Sequence, residues 1–253
     1  GTWVLPDGKI LEAGTLNSYQ LSSRGFETVS FDAALDSAPV TLSQVQSFNG
    51  RDFVTTRQRD ATADGVQLTM QEEEALNGGG HVTETLGWVA LEAGSGTAGA
   101  VSWLAGSTAG VTDATATADL GASLTGGANA IAALASYNGR DPAWARGGGS
   151  TGSSFDVSVE EDTSRDGETN HIPETIDHFV FNEAGTISAA PIRDSAETGT
   201  LTLTHAAQTV TLERSYDDPV VVAPVATESG AQPVKGRISE VGGNDLTLQL
   251  QEQ

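Results

Sequence analysis

Residues 47–57 read SFNGRDFVTTR, and residues 136–146 read SYNGRDPAWAR. Asn49, Gly50, Arg51 and Asp52 thus answer Asn138, Gly139, Arg140 and Asp141 at an offset of 89 (138 − 49). A fixed offset of this kind marks a repeat architecture, in which one supersecondary unit is copied along the chain. The register holds outward from the match: GVQLTMQEEE (65–74) pairs with SFDVSVEEDT (154–163), and HVTETLGWVALEAG (81–94) with HIPETIDHFVFNEAG (171–185). His81, Glu84 and Thr85 therefore answer His171, Glu174 and Thr175. A looser third copy follows Gly185, where residues 209–237 repeat the pattern of 28–57 and NDLTLQLQEQ (244–253) that of GVQLTMQEEE, so that Arg57, Arg146 and Arg237 fall at one place.

Within a unit the apolar residues alternate, as in Val29 and Phe31, or Val66, Leu68 and Met70, with Asn-Gly, Asp-Gly and Gly-Gly between the runs. A period of two with β-branched and aromatic enrichment is the pattern of half-buried antiparallel strands. The fold class is therefore all-β, in tandem antiparallel β-sandwich units of about 90 residues with five or six strands each. ANAIAALASY (128–137) has helical propensity, but its alignment with VTLSQVQSF assigns it to a strand. The expected organisation is a closing strand of a preceding or the third unit over 1–14, a first unit over 15–96, a second over 97–187 and a third over 188–253. The third unit stops before its own His-x-x-Glu-Thr strand, whereas KILEAGTL (9–16) resembles the end of a unit, ALEAGSG (90–96). Either the chain is part of a longer array or its first strand completes the last unit. Open strands at 2–12 and 244–253 would then offer edges for self-assembly by strand donation.

The order of strands, with APV at 38–40, DPV at 218–220, GVQLTMQ, SFDVSVE and the closing LGWVALEAG, resembles the H-type lectin fold. That resemblance implies a six-stranded sandwich and a carbohydrate ligand. No sugar-binding motif of that family matches residue by residue, so it implies no site residues. The Asn-Gly-Arg-Asp loop and the His-x-x-Glu-Thr strand resemble features of acidic tandem repeats in surface proteins of marine and halophilic microbes.

Thirty-four acidic residues against 12 basic ones give a net charge of −22, and only Lys9 and Lys235 are lysines. Phosphate backbones demand a basic face, so nucleic acid is excluded as a natural partner. A lysine-poor acidic surface suits a salty medium, where counterions screen its self-repulsion. No apolar run is long enough to span a membrane. Cysteine is absent, which removes disulfides and thiol chemistry without arguing against export. The expected location is extracellular or at the cell surface.

No Gly-x-Ser-x-Gly elbow, phosphate-binding loop or zinc signature occurs, and so many acids make coincidental carboxylate pairs inevitable. The expectation is a protein that is not an enzyme, with no cofactor. His81 with Glu84, and His171 with Glu174, are spaced to point to opposite faces of a strand, so no metal site is expected and hydrogen-bonded pinning of loops is the plain reading. The acids at 72–74 and 160–162 read as a solvated edge rather than a calcium loop. Arg57, Arg146 and Arg237 are expected to pair across strands with Glu72, Glu161 and Glu252.

Two functions remain. In the first, each unit binds a glycan or polysaccharide, with Tyr137 and Trp144 as stacking faces, Asn138, Arg140 and Asp141 as hydrogen-bonding groups, and Asn49, Arg51 and Asp52 as their counterparts. Trp144 replaces Thr55 and answers Val234 or Lys235; a core position would keep its volume across copies, which places Trp144 on a surface. In the second, the units build a structural array such as a fibre, an adhesin or a surface layer.

Overall fold

A computed structural model gives the chain in three dimensions. It describes residues 1–76, 79–189, 193–230 and 232–252. Every regular element among them is a strand apart from two single 3-10 turns, so the all-β expectation holds. The first unit contains β1 (Thr2–Val4), β2 (Ile10–Ser18), β3 (Glu27–Ser30), β4 (Val40–Val45), β5 (Val54–Thr62), β6 (Gly65–Glu72) and β7 (Glu84–Leu91). The second has β8 (Gly94–Ala98), β9 (Val101–Val111), β10 (Ala116–Asp119), β11 (Asn129–Leu134), β12 (Ala143–Ser150), β13 (Ser154–Glu161) and β14 (Glu174–Phe181). The third has β15 (Gly185–Ala189), β16 (Arg193–Thr198), β17 (Gln208–Thr211), β18 (Val234–Val241) and β19 (Asp245–Glu252).

The first two units share one topology. A four-stranded sheet, β1-β2-β7-β4 or β8-β9-β14-β11, faces a three-stranded sheet, β3-β6-β5 or β10-β13-β12. The alternation read from sequence explains the facing: β13 buries Phe155, Val157 and Val159, while the residues between them are only partly buried. Opposite them Ile176 and Val180 of β14 close the second core, and in the first unit Leu68 of β6 meets Trp88 and Ala90 of β7. Residues 128–137 supply β11, a strand as the alignment required.

Residues 2–12 do not complete the third unit. They form the β1–β2 hairpin, in which Trp3 opposes Leu11, and β2 pairs along its length with β7, Leu11 opposing Leu91 and Leu16 opposing Leu86. KILEAGTL lies in β2, whereas ALEAGSG spans the end of β7 and the start of β8 in another sheet, so their similarity marks no equivalent place in two units. The β8–β9 and β15–β16 hairpins open the later units in the same way. Residues 245–252 are likewise engaged, with β19 central between β17 and β18. β2 and β19 are thus paired on both sides, and within 2–12 only the short β1 stands at a sheet edge.

The units are not beads on a string. β4 of the first unit packs on β11 and β14 of the second, and the Thr41 amide donates to the buried Asp177 carboxylate of β14 at 2.7 Å. On its other side, Gln44 accepts from the Ala223 amide at 2.6 Å and donates to the Gly236 carbonyl at 2.8 Å. Where the three units meet, a cavity of about 30 Å³ is lined by Thr55, Trp144 and Lys235, the three equivalent positions of the repeat.

Candidate functional site

In each of the first two units the repeated polar residues converge on one carboxylate. Glu84, the first residue of β7, has a side chain with no exposed surface. It accepts from the Ser47 hydroxyl, from the Asn49 and Gly50 amides at 3.0 and 2.9 Å, and lies 3.2 Å from His81 Nε2. In the second unit Glu174 accepts from Ser136, from the Asn138 and Gly139 amides at 3.0 Å each, and lies 3.2 Å from His171 Nε2. The other ring nitrogen of each histidine meets the end of the preceding strand, His81 Nδ1 to Glu72 at 2.9 Å and His171 Nδ1 to Glu161 at 2.8 Å. A Cβ on Gly50 would sit 2.6 Å from the His81 ring, and one on Gly139 would meet His171 more closely still. The Asn-Gly pair is therefore not a hairpin turn; its glycine lets the imidazole lie against the loop, while its asparagine donates to the Thr83 or Pro173 carbonyl at 2.8 Å. The pinning role expected for these histidines is what they perform. Their opposite-face geometry is corrected: His81 and His171 precede β7 and β14, so loop backbone turns each ring onto its glutamate.

Arginine then ties one unit to the next. Arg57 of the first unit, fully buried, donates from Nη2 to Glu174 of the second at 2.9 Å, and from Nη1 to Gln71 at 2.8 Å. Arg237 of the third donates to Glu84 of the first at 3.0 Å. Each guanidinium also covers the aromatic residue before the Asn-Gly pair of the unit it reaches: Arg57 lies 4.6 Å from the Tyr137 ring centroid and Arg237 4.4 Å from that of Phe48. Arg146 differs, pairing with Glu160 at 2.9 Å and donating to the Thr227 carbonyl at 2.9 Å. Arg146 thus keeps the expected cross-strand pairing, with Glu160 on the adjacent β13, whereas Arg57 and Arg237 reach other units and Glu72 and Glu161 serve the histidines instead. Nothing in one repeat tells a within-unit pair from a between-unit pair; the signal lay in polar residues kept in register while apolar ones drift, the mark of a buried network satisfied as a whole.

Charge and burial set the protonation states. Burial alone would raise Glu84, but hydrogen bonds from His81, Ser47 and the two loop amides outweigh it and hold its pKa at about 2. Glu174 is likewise held at about 2. Burial opposes the charged form of His81 and His171, yet the flanking carboxylates win and both are raised. Burial, with Arg237 and Arg57 nearby, pushes Lys235 down to about 7.

The residues expected to hold sugar are placed differently. Trp144 is 6% exposed, its indole N–H donating to Glu160 at 2.7 Å and its ring 5.2 Å from Phe53. It is not a surface platform. Its volume departs from Thr55 and Lys235 because the three share one cavity, where a large residue is offset by a small one. Tyr137 is only partly buried, but one contact on its ring is Arg57 and another is Phe26, edge-on at 5.1 Å. Asn49, Asn138, Arg51, Asp52, Arg140 and Asp141 remain exposed. The acids read as a solvated edge are partly interior: Glu72, Glu161 and Asp162 are buried. Carboxylate oxygens of Asp141, Glu161 and Glu168 lie within 4.8 Å of one another, and Asp52 and Glu72 gather with His81. In the second group both ring nitrogens already face carboxylates, which leaves the imidazole no free lone pair for a metal.

Against known proteins, 184 residues, 72% of the chain, are 29% identical to halomucin of Haloquadratum walsbyi. The chain spans about 2% of that protein's length. No family model matches, and no solved structure matches. The acidic, lysine-poor composition of the chain suits a salty medium.

Proposed function

We propose that this chain is a non-enzymatic structural module of an extracellular halophile surface protein, built from three sandwich units locked into one body. The observation that supports this most is the use made of the repeated polar motif. Serine, asparagine and glycine hold a buried glutamate, and that glutamate takes an arginine from another unit. A motif spent on internal hydrogen bonds supplies rigidity, and buried charge pairs of this kind tolerate little change in geometry. Molar salt screens the surface acids but reaches buried pairs far less, so the lock keeps its strength where surface ion pairs lose theirs.

Glycan binding is the competing reading, and it retains the exposed side chains of Arg51, Asp52, Arg140 and Asp141. Its aromatic faces are the difficulty, since Trp144 is buried and Tyr137 is covered by Arg57 and met edge-on by Phe26. A glycan array at molar salt separates the two. The structural reading expects no retention that depends on these loops. Selective retention abolished by Arg140→Ala with unchanged melting would replace it with the lectin reading.

A further inference from the structure

The third unit carries a groove where the other two carry a strand. In the first unit β7 lies between β2 and β4, and in the second β14 lies between β9 and β11. The corresponding walls of the third unit are β16 and residues 219–225, and between them runs a cavity of about 690 Å³. Among the described residues, 219–225 form no strand, although PVVVAPV is as apolar and β-branched as the VTLSQV of β4. The Val221 and Ala223 amides instead donate to Gln46 and Gln44 side chains of the first unit. The floor is apolar, with Leu11, Leu42, Trp103, Phe179 and Val222 among its lining. The unit's own core is correspondingly thin: Ile238, Leu246 and Leu248 are its fully buried members, where the first unit adds Leu86, Trp88 and Ala90 from β7.

The charges around the groove carry the argument further. Arg57 and Arg237 each find the glutamate that begins β14 or β7 in a neighbouring unit. By the same rotation Arg146 should find the glutamate of a third such strand. It already reaches the carbonyl of Thr227, the position equivalent to Ser136, whose carbonyl Arg57 Nη2 touches at 3.4 Å. Thr227 and Gly230 also repeat the hydroxyl and the glycine that hold Glu84 and Glu174. The carboxylate cradle is present in kind, and Arg146 meets Glu160 of its own unit instead.

We propose that this groove seats one further β-strand with the pattern of β7 and β14, His-x-x-Glu-Thr followed by alternating apolar residues, on polypeptide running on from β19. It would lie antiparallel between β16 and residues 219–225, set its glutamate against Arg146, and close the ring of cross-unit pairs. The connection matches its precedents, because β6 is followed by β7 and β13 by β14 in chain order with no strand between them. A second copy of the chain is a poorer donor: its β7 and β14 are central strands, each paired on both edges, and would have to leave their own sheets. This inference rests on the structural-module reading and names what that module binds.

The test copies Asp162–Ala184 onto the end of the chain after Gln253. At molar salt the extended chain should stay monomeric, melt about 5 °C or more higher, and bind less of the hydrophobic dye ANS. Substituting glutamine at the appended copy of Glu174, or Arg146→Met, should remove most of that gain. A peptide of residues 171–184, added to the unextended chain, should bind and lose about tenfold affinity or more with Glu174→Gln in the peptide. An extended chain with unchanged melting and dye binding, or a peptide that does not bind, overturns the proposal. Should the extension fail to fold, the peptide decides. Dimerisation of the unextended chain that the peptide cannot compete away would make a second copy the occupant and refute the assignment to following chain. The Arg57–Glu174 pair is untouched by these variants, so its coupling separately tests the module reading.

Discussion

Glu174→Gln should weaken the whole molecule, although it changes one atom at the start of β14. The carboxylate accepts from the Ser136 hydroxyl, from the Asn138 and Gly139 amides, and from Arg57, itself fully buried. Its folded pKa of about 2 against an ordinary 4.5 corresponds to about 3 kcal/mol at neutral pH, at about 1.4 kcal/mol per pKa unit. Removing one partner of a buried pair costs about 3–5 kcal/mol by mutational precedent, because the other charge is left uncompensated. With roughly 2–4 °C per kcal/mol for a chain of this size the melting point should fall by about 10 °C. Urea denaturation at molar salt, with Arg57→Met and the double variant, completes the cycle. The coupling energy should be at least about 1 kcal/mol, and the double variant should be little worse than either single one. The pH dependence has a definite sign. A depressed carboxylate pKa gives stability that is present above 4.5 and lost as pH falls from 4.5 through about 2, and Glu174→Gln should flatten that limb. A loss below about 0.5 kcal/mol, or strict additivity with Arg57→Met, would refute the claim that this pair locks the units.

Trp144→Ala should destabilise by about 3–5 kcal/mol, measured by denaturation, because it empties a buried site shared by three units. Lys235→Met should stabilise: the folded pKa of about 7 lies below the ordinary 10.5, so the burden of the buried ammonium is full below pH 7 and relieved as pH rises from 7 towards 10.5. The gain, followed by melting against pH, should be largest below pH 7 and shrink above it. His81→Asn and His171→Asn should remove stability that is full below pH 6.5 and lost as pH rises through the raised histidine pKa; melting profiles of the wild type and variants should converge at high pH. With a net charge of −22, melting temperature should climb with sodium chloride up to the molar range, and a flat salt series would contradict an acidic surface adapted to screening.

Much of the architecture was legible because strand alternation and repeat offset are local properties. Val66, Leu68 and Met70 declare a strand face wherever they stand, and the offset from Asn49 to Asn138 survives any docking of the units. The hairpin at 2–12 was assigned to the wrong unit because a strand's sequence shows that one face is buried but not which neighbour it pairs with. β2 resembles the turn from β7 into β8, yet its partner is β7 itself, with Leu11 opposing Leu91.

The site failed for a more instructive reason. The volume change from Thr55 to Trp144 to Lys235 pointed to a surface only if each unit owns a separate core, and the structure denies that premise. Three equivalent positions meet at one cavity, so conservation of volume applies to their sum, and divergence between copies is what a shared interior permits. The same logic covers the arginines. Arg57 and Arg237 hold the glutamate of another unit, whereas Arg146 pairs with Glu160 of its own unit. In a tandem repeat closed about an axis, a residue's partner is fixed by the rotation between units rather than by its own strand register, and polar identities kept at one offset are the trace that rotation leaves in sequence.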